Sequence, residues 1–165
     1  MKKGTKRVVS KIVLPALLTV GLAVGLAFAG TEFADVIQME NKQAYDQHKQ
    51  GIVTFTHKKH VEEYKIGCGD CHHDKDGKPL TNLKVGDEVQ SCLECHVKGQ
   101  ADKKALQAMA PADRKKEELK YHYGAMHENC QGCHEKFNIE KAGDKRKGPA
   151  PVSCTQCHPK KAGAK

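Results

Sequence analysis

The feature that most constrains this chain of 165 residues is a short motif, Cys-x-x-Cys-His, that occurs four times. All eight cysteines belong to these motifs, which are Cys68, Cys71 and His72; Cys92, Cys95 and His96; Cys130, Cys133 and His134; and Cys154, Cys157 and His158. The motif is typical of covalent c-type haem attachment, in which both thiols add to the porphyrin and the adjoining histidine binds the iron. The sequence therefore predicts four c-type haems, each tethered by two cysteines and ligated by one of these histidines.

Two other interpretations of the cysteines are open. Twenty residues separate Cys71 from Cys92, and twenty separate Cys133 from Cys154, a spacing that also suits zinc sites built from two Cys-x-x-Cys pairs. An exported chain could instead form disulfides. Neither interpretation accounts for a histidine directly after every second cysteine. Haem attachment is therefore the favoured prediction.

Composition supports a core built from something other than side chains. The chain has no tryptophan and only 5% aromatic residues, and much of its 38% hydrophobic content lies in the first thirty residues. Little is left for an ordinary hydrophobic interior. Four porphyrins, each a large apolar plate, would supply the missing apolar surface. We expect a fold organised around haems.

Residues 1–29 are typical of an export signal. Five basic residues precede an apolar run over residues 12–28, and Ala27, Phe28 and Ala29 form a small-x-small cleavage site. The alternative is an uncleaved membrane anchor, because about 18 apolar residues can just span a bilayer. Residues 30–165 are then a single exported, periplasmic domain, and any membrane contact comes through this segment or a membrane partner.

The charge of the exported part is modest and uneven. Without the first segment the chain keeps 23 basic and 20 acidic residues, a net charge of +3. The excess lies in residues 135–165, which hold eight basic and three acidic residues. We call the following set the basic pole: Lys141, Lys145, Arg146, Lys147, Lys160 and Lys161. Such a charge distribution does not favour nucleic-acid binding, but it suits docking to an acidic partner protein.

Local patterns predict a mainly α-helical fold with much irregular chain and a small N-terminal β ribbon. Residues 52–55 have strand character, whereas residues 30–50 predict a loop or short helix. Residues 101–110 favour a helix, and Pro111 suits the first turn of another that continues to Met126.

Six further histidines can fill the second axial positions of the four irons: His48, His57, His60, His73, His122 and His127. Met39, Met109 and Met126 are competing sulfur ligands, but the histidines cluster beside the motifs. Two histidine ligands close the coordination of an iron and favour electron transfer over catalysis at that iron. Such haems also lack the potential-raising effect of a methionine ligand, so we expect potentials well below zero.

The residues resemble the class III multihaem cytochromes c, the tetrahaem cytochrome c3 family. The resemblance covers about residues 50–160 and lies in an F-x-H-x-x-H segment with Phe55, in the pair His72 and His73, and in a tyrosine-rich helix ending at His127. It implies four haems with two histidine ligands each. The implied pairs are His57 with His72, His73 with His96, His60 with His134, and His127 with His158.

The sequence departs from that family in two respects. Many members have four residues between the cysteines of the second and fourth motifs, whereas all four gaps here are two residues. Residues 97–120 also form a long segment, and His122 has no assigned role. His122 is an alternative to His127 as ligand of the fourth haem, and His48 is predicted to be a surface residue.

The resemblance implies a periplasmic electron carrier, not an enzyme, that takes electrons from hydrogenase or formate dehydrogenase and passes them to membrane-bound redox complexes. One alternative is a multihaem reductase of metal ions or small oxyanions, which requires a haem iron with an open position. Another is a cytochrome subunit held in a membrane redox complex by residues 1–29.

Overall fold

The computed structural model describes residues 34–161, so the predicted export segment lies outside the described chain. The strands are β1 (Ile37–Gln38) and β2 (Thr54–Phe55), and the helices are α1 (His57–Glu62), α2 (Lys103–Gln107), α3 (Pro111–Leu119), α4 (His122–His127), α5 (Cys133–Ala142) and α6 (Cys154–Cys157). A π-helical turn, Glu128–Gly132, joins α4 to α5. The predicted fold class, mainly α with much irregular chain and a small ribbon, is confirmed.

The ribbon directly precedes the first helix. β1 and β2 are antiparallel, with Ile37 opposite Phe55, and the N–H of Met39 donates to the carbonyl of Val53 at 2.9 Å. The prediction of a loop or short helix for residues 30–50 is wrong at β1. A two-residue strand has no alternating pattern of its own, and its partner lies sixteen to eighteen residues away in the sequence. The ribbon determines where α1 begins.

The helix predicted from Pro111 to Met126 is interrupted. Pro111 does begin α3, but Tyr121 is extended, with φ −99° and ψ 143°. The N–H of His122 donates to the carbonyl of Val97 at 2.8 Å, and the N–H of Val97 donates to the carbonyl of Lys120 at the same distance. This parallel bridge outcompetes one turn of helix and ties the start of α4 to the chain just after the second motif.

A glycine allows α4 to lie tightly against the end of α3. A side chain at Gly124 would collide with the backbone carbonyl of Glu118. Arg114 holds the preceding turn, because its guanidinium donates to the carbonyls of Leu106 at 2.9 Å and Met109 at 3.3 Å. The long segment between the second and third motifs is therefore a fixed helical hairpin.

The side-chain core is very small. Among residues 34–161, the buried hydrophobic residues are Ala44, Ala101 and Leu106, and the buried polar residues are His122 and Asn138. Several large apolar side chains are exposed: Val36, Tyr64, Val85, Val89, Val97, Tyr123, Phe137 and Ile139. This agrees with the composition, since such a chain buries too little apolar surface of its own to offset the conformational entropy lost on folding.

Within the described residues, no helix has the length and apolar character needed to cross a lipid bilayer.

Candidate haem sites

Each Cys-x-x-Cys-His motif folds into a single compact turn. The first two begin with 3₁₀ turns, Cys68–Asp70 and Cys92–Glu94, and the fourth is the one-turn helix α6. In these three motifs the histidine N–H donates to the carbonyl of the first cysteine, at 2.8 to 2.9 Å. The third motif spans the π-helical turn and the start of α5. Every motif thus holds its two thiols and its imidazole close together, as attachment to one porphyrin requires.

Side chains inside or next to the motifs stabilise these turns. The Asp70 carboxylate accepts the N–H of Gly67 at 2.8 Å, and the Glu94 carboxylate accepts the N–H of Ser91 at 3.2 Å. Gln156 plays the same part in the fourth motif, where its Oε1 accepts the N–H of Ser153 at 3.0 Å. Each is a capping arrangement that satisfies an otherwise unpaired backbone donor. The local sequence therefore encodes the shape of the turn.

The cysteines are arranged for neither disulfides nor zinc. No two of the eight cysteines are joined by a disulfide bond. No cluster of three or more histidine, cysteine, aspartate or glutamate side chains suited to a metal ion occurs between residues 34 and 161. Burial raises the pKa of Cys71 to about 11 and also raises the pKa of Cys157. Among the described residues the cysteines therefore form neither of the two alternative arrangements.

Eight histidine rings meet in four pairs. The ring centroids are 6.4 Å apart in the first pair (His57 and His72), 5.9 Å in the second (His73 and His96), 6.2 Å in the third (His60 and His134) and 6.3 Å in the fourth (His127 and His158). Metal–imidazole bonds are about 2.0–2.1 Å long and a ring centroid lies about 1.1 Å behind its nitrogen, so two imidazoles on one metal have centroids about 6.2–6.4 Å apart. Three of the pairs fall within this range and the second, His73 and His96, is about 0.3 Å shorter, so the separations suit two imidazoles on one metal.

Backbone carbonyls orient the paired rings. In six of the eight, Nδ1 donates to a carbonyl at 2.7 to 2.9 Å; the acceptors are Thr56 for His60, Asp74 for His73, Leu119 for His96, Tyr123 for His127, Pro151 for His134 and Gly51 for His158. A proton on Nδ1 leaves the Nε2 lone pair free to bind a metal. Sequence reasoning missed these acceptors, because a backbone carbonyl has no residue signature.

One stretch of chain supplies residues to three of the pairs. α1 carries His57 of the first pair and His60 of the third, and the first motif is followed by His73 of the second pair. The Phe55 ring lies 5.6 Å from the His57 ring and 4.7 Å from the His60 ring. Metals bound by these pairs would be held close to one another by the covalent chain.

Comparison with known proteins agrees with this geometry. The sequence model described as the class III cytochrome C family matches residues 33–158. The chain belongs to the class III cytochrome c family. The resemblance inferred from the motifs is confirmed, and the protein is a multihaem electron-transfer cytochrome that binds c-type haem.

Individual relatives share substantial identity with this cytochrome. It is 33% identical over 112 residues to cytochrome c3 of Maridesulfovibrio salexigens, a match covering 66% of this chain and 79% of the relative. It is 38% identical over 63 residues to cytochrome c3 of Desulfuromonas acetoxidans, covering 38% and 78%. A third match, 29% over 103 residues, covers 62% of this chain but only 14% of the high-molecular-weight cytochrome c of Nitratidesulfovibrio vulgaris.

His122 lies apart from the four pairs of the cytochrome. It is buried, its Nδ1 is hydrogen-bonded to the Tyr45 hydroxyl at 2.9 Å, and the two rings meet edge-on at 5.5 Å. Burial lowers the pKa of His122, and the nearby His96 adds to that effect. The ring that meets His158 is that of His127.

His48 lies beside the same tyrosine, Tyr45. It was predicted to be a surface residue, but it is half-buried and its Nε2 accepts the N–H of Asn41 at 3.1 Å. Its ring lies 5.3 Å from that of Tyr45. Sequence reasoning missed Tyr45, since nothing near it in the chain indicates a role. The Tyr45, His48 and His122 cluster anchors the segment after β1 to the start of α4.

Proposed function

We propose that this cytochrome is a low-potential electron carrier that holds four covalently bound c-type haems, each ligated by two histidines. The four histidine pairs, at separations that suit one metal each, are the observation that carries the proposal. With both axial positions taken, an iron has no site for oxygen or an oxyanion. Outer-sphere electron transfer is the chemistry that such irons retain.

Low potential follows from the ligands and from exposure. Histidine on both faces lacks the potential-raising effect of a methionine ligand. Few side chains among residues 34–161 are buried, so the chain has little apolar material with which to shield a haem from water, and water stabilises the more highly charged ferric state. The haem groups would be held by Cys68, Cys71, Cys92, Cys95, Cys130, Cys133, Cys154 and Cys157. The axial ligands would be His57, His60, His72, His73, His96, His127, His134 and His158.

The proposed partners are redox proteins: donors of the hydrogenase or formate dehydrogenase type, and membrane-bound redox complexes as acceptors. The basic pole supports docking to an acidic surface. All six of its side chains belong to exposed residues, and they flank the fourth motif in the sequence. Glu135 and Asp144 partly offset it, through contacts with Lys145 at 3.8 Å and Lys147 at 3.6 Å. The remaining positive charge would steer encounter with a partner.

The proposed location is the periplasm. The signal-like residues 1–29 support export, and c-type haem attachment suits an exported protein. Determining the N-terminus of the mature protein distinguishes a free carrier, which would start near Gly30, from a subunit that keeps its apolar segment as a membrane anchor.

The test is to purify the protein from a host that attaches c-type haem, to quantify haem per chain, and to record visible and low-temperature EPR spectra. Four haems per chain, all low-spin and none binding carbon monoxide, is the expected result. A high-spin signal equal to one haem would refute the closed coordination and indicate a reductase with a substrate site instead.

A further inference from the structure

Asn138 is a buried polar residue that the proposed electron transfer does not involve directly. It lies in α5 and has no solvent exposure (0%). Its Nδ2 donates to the carbonyls of Lys145 at 3.0 Å and Ala150 at 2.9 Å, and its Oδ1 accepts the N–H of Ala150 at 2.9 Å. One side chain therefore holds the loop that joins α5 to the fourth motif at two points.

The same loop supplies the hydrogen-bond acceptor of a paired histidine. Pro151 directly follows Ala150, and its carbonyl accepts the Nδ1–H of His134 at 2.7 Å. His134 and Asn138 are four residues apart in α5, so they lie on the same face of that helix. Two successive residues of the loop, Ala150 and Pro151, are thus held from one helix face, the first by Asn138 and the second by His134.

Only an asparagine suits this position. Its amide offers two N–H groups and an oxygen at once, and the loop presents two carbonyls and one N–H to it. The substitution Asn138→Asp would remove both donors, and Asn138→Ala would remove every one of these hydrogen bonds. Gly148 fits the arrangement as well, since a side chain there would collide with Oδ1 of Asn138. The loop and the Asn138 amide are therefore complementary in both hydrogen-bonding groups and shape.

We propose that Asn138 is a positioning residue for His134, and that by holding the Pro151 carbonyl in place it sets the redox potential of the third haem. The proposal rests on the proposed ligation of that haem by His60 and His134. A hydrogen bond from Nδ1–H makes an imidazole a stronger electron donor, which favours the ferric state. Weakening this bond should therefore raise the potential of the third haem and leave the other three unchanged.

Two variants test the proposal on the four-haem protein. Asn138→Ala removes the amide, and Gly148→Ala keeps the amide but pushes it away from the loop. Asn82→Ala, which removes an exposed asparagine from the loop before the second motif, is the matched control. Potentials are followed by NMR redox titration, with the methyl signals of the third haem assigned through their proximity to Cys130 and Cys133. Exchange of the His134 Nδ1 proton with solvent is measured in the same samples.

In both variants we expect the ratio of oxidised to reduced third haem, at a fixed applied potential, to fall three- to tenfold. Loss of an outer-shell partner typically changes metal binding by about tenfold or more, and tenfold corresponds to about 59 mV for one electron. The His134 proton should also exchange faster. Gly148→Ala keeps the test decisive where Asn138→Ala fails to fold.

Three results would overturn the proposal. A low-spin third haem with unchanged potential in the variants would show that Asn138 only stabilises the loop. An equal shift of all four haems would indicate general loosening of the fold. A third haem that is already high-spin in the unmodified protein would refute its ligation by His60 and His134, and would thereby refute the proposed function as well.

Discussion

The most decisive perturbation is His127→Leu, because two histidines of α4 compete in the sequence for one role. His127 and His158 have ring centroids 6.3 Å apart, and the Tyr123 carbonyl accepts the Nδ1–H of His127 at 2.8 Å. Removing this imidazole should leave the fourth haem with one histidine ligand. One haem in four would then become high-spin and bind carbon monoxide.

His122 is poorly placed to rescue that variant. It precedes His127 by five residues, which in an α-helix is a rotation of about 140° beyond one full turn and a shift of about 7.5 Å along the axis. To replace His127, α4 would have to rotate and slide by these amounts. The bond between His122 and the Tyr45 hydroxyl, at 2.9 Å, would break, and so would the bond from the His122 N–H to Val97.

The assay is titration of the reduced protein with carbon monoxide, followed by visible absorption, with haem counted per chain. We expect one molecule bound per chain of His127→Leu and none for the parent protein. His122→Leu is the matched control and should bind none, since it leaves all four pairs intact. The reverse outcome, a carbon monoxide site in His122→Leu but not in His127→Leu, would refute the assignment of the fourth pair.

Three further predictions concern the whole molecule. The planes of the paired rings cross at 73° and 85° in the first and second pairs but at 22° and 32° in the third and fourth. This angle governs the splitting of the ferric d orbitals, so EPR should resolve two strongly anisotropic and two rhombic low-spin signals, and four equal signals would contradict the geometry. Changing three residues of the basic pole to glutamine (Lys141, Arg146 and Lys160) should slow electron transfer to an acidic partner about tenfold at low ionic strength and little at high salt. The same change at three exposed lysines outside the pole (Lys75, Lys78 and Lys84) should have a much smaller effect, and equal slowing by both sets would argue against docking there. Burial lowers the pKa of His122 in the folded protein. Below pH 6.5, about the ordinary pKa of histidine, the unfolded chain therefore binds more protons at this residue than the folded protein does. The free energy of unfolding should then fall as the pH drops below that value, by at most about 1.4 kcal/mol per pH unit. Urea unfolding at pH 7.5 and 5.5 measures this, and a His122→Gln variant that loses as much stability as the parent would show that another group is responsible.

Several elements of the fold followed from local sequence alone. Pro111 begins α3 as predicted, because its fixed φ suits the first helical turn. The strand signal of residues 52–55 appears as β2. The capping partners Asp70 and Glu94 lie within the motifs that they stabilise. In each case the physical cause acts over a few residues of chain.

Other features depended on distant parts of the chain. Tyr121 is not helical because Val97, more than twenty residues earlier, forms backbone hydrogen bonds with the two neighbours of Tyr121, Lys120 and His122. His122 is buried because Tyr45, 77 residues earlier, bonds to it. Asn138 has an ordinary helical context, and nothing in that context reveals that it holds a loop. Helix propensity and hydrophobic periodicity depend on residues that are close together in the sequence, so they do not predict such contacts.

The chemistry of this protein is written in its amino-acid sequence: the attachment motifs, the surplus of histidines, the scarcity of apolar side chains and membership of the class III cytochrome c family. The resemblance to that family implies which histidines pair, but the folded chain is what brings the rings of each pair to within 5.9 to 6.4 Å and places a backbone carbonyl against six of the eight rings. The reason is physical. Covalent attachment depends on residues within one turn of chain, whereas an axial pair such as His60 and His134 joins residues 74 positions apart, and only the folded backbone brings them together.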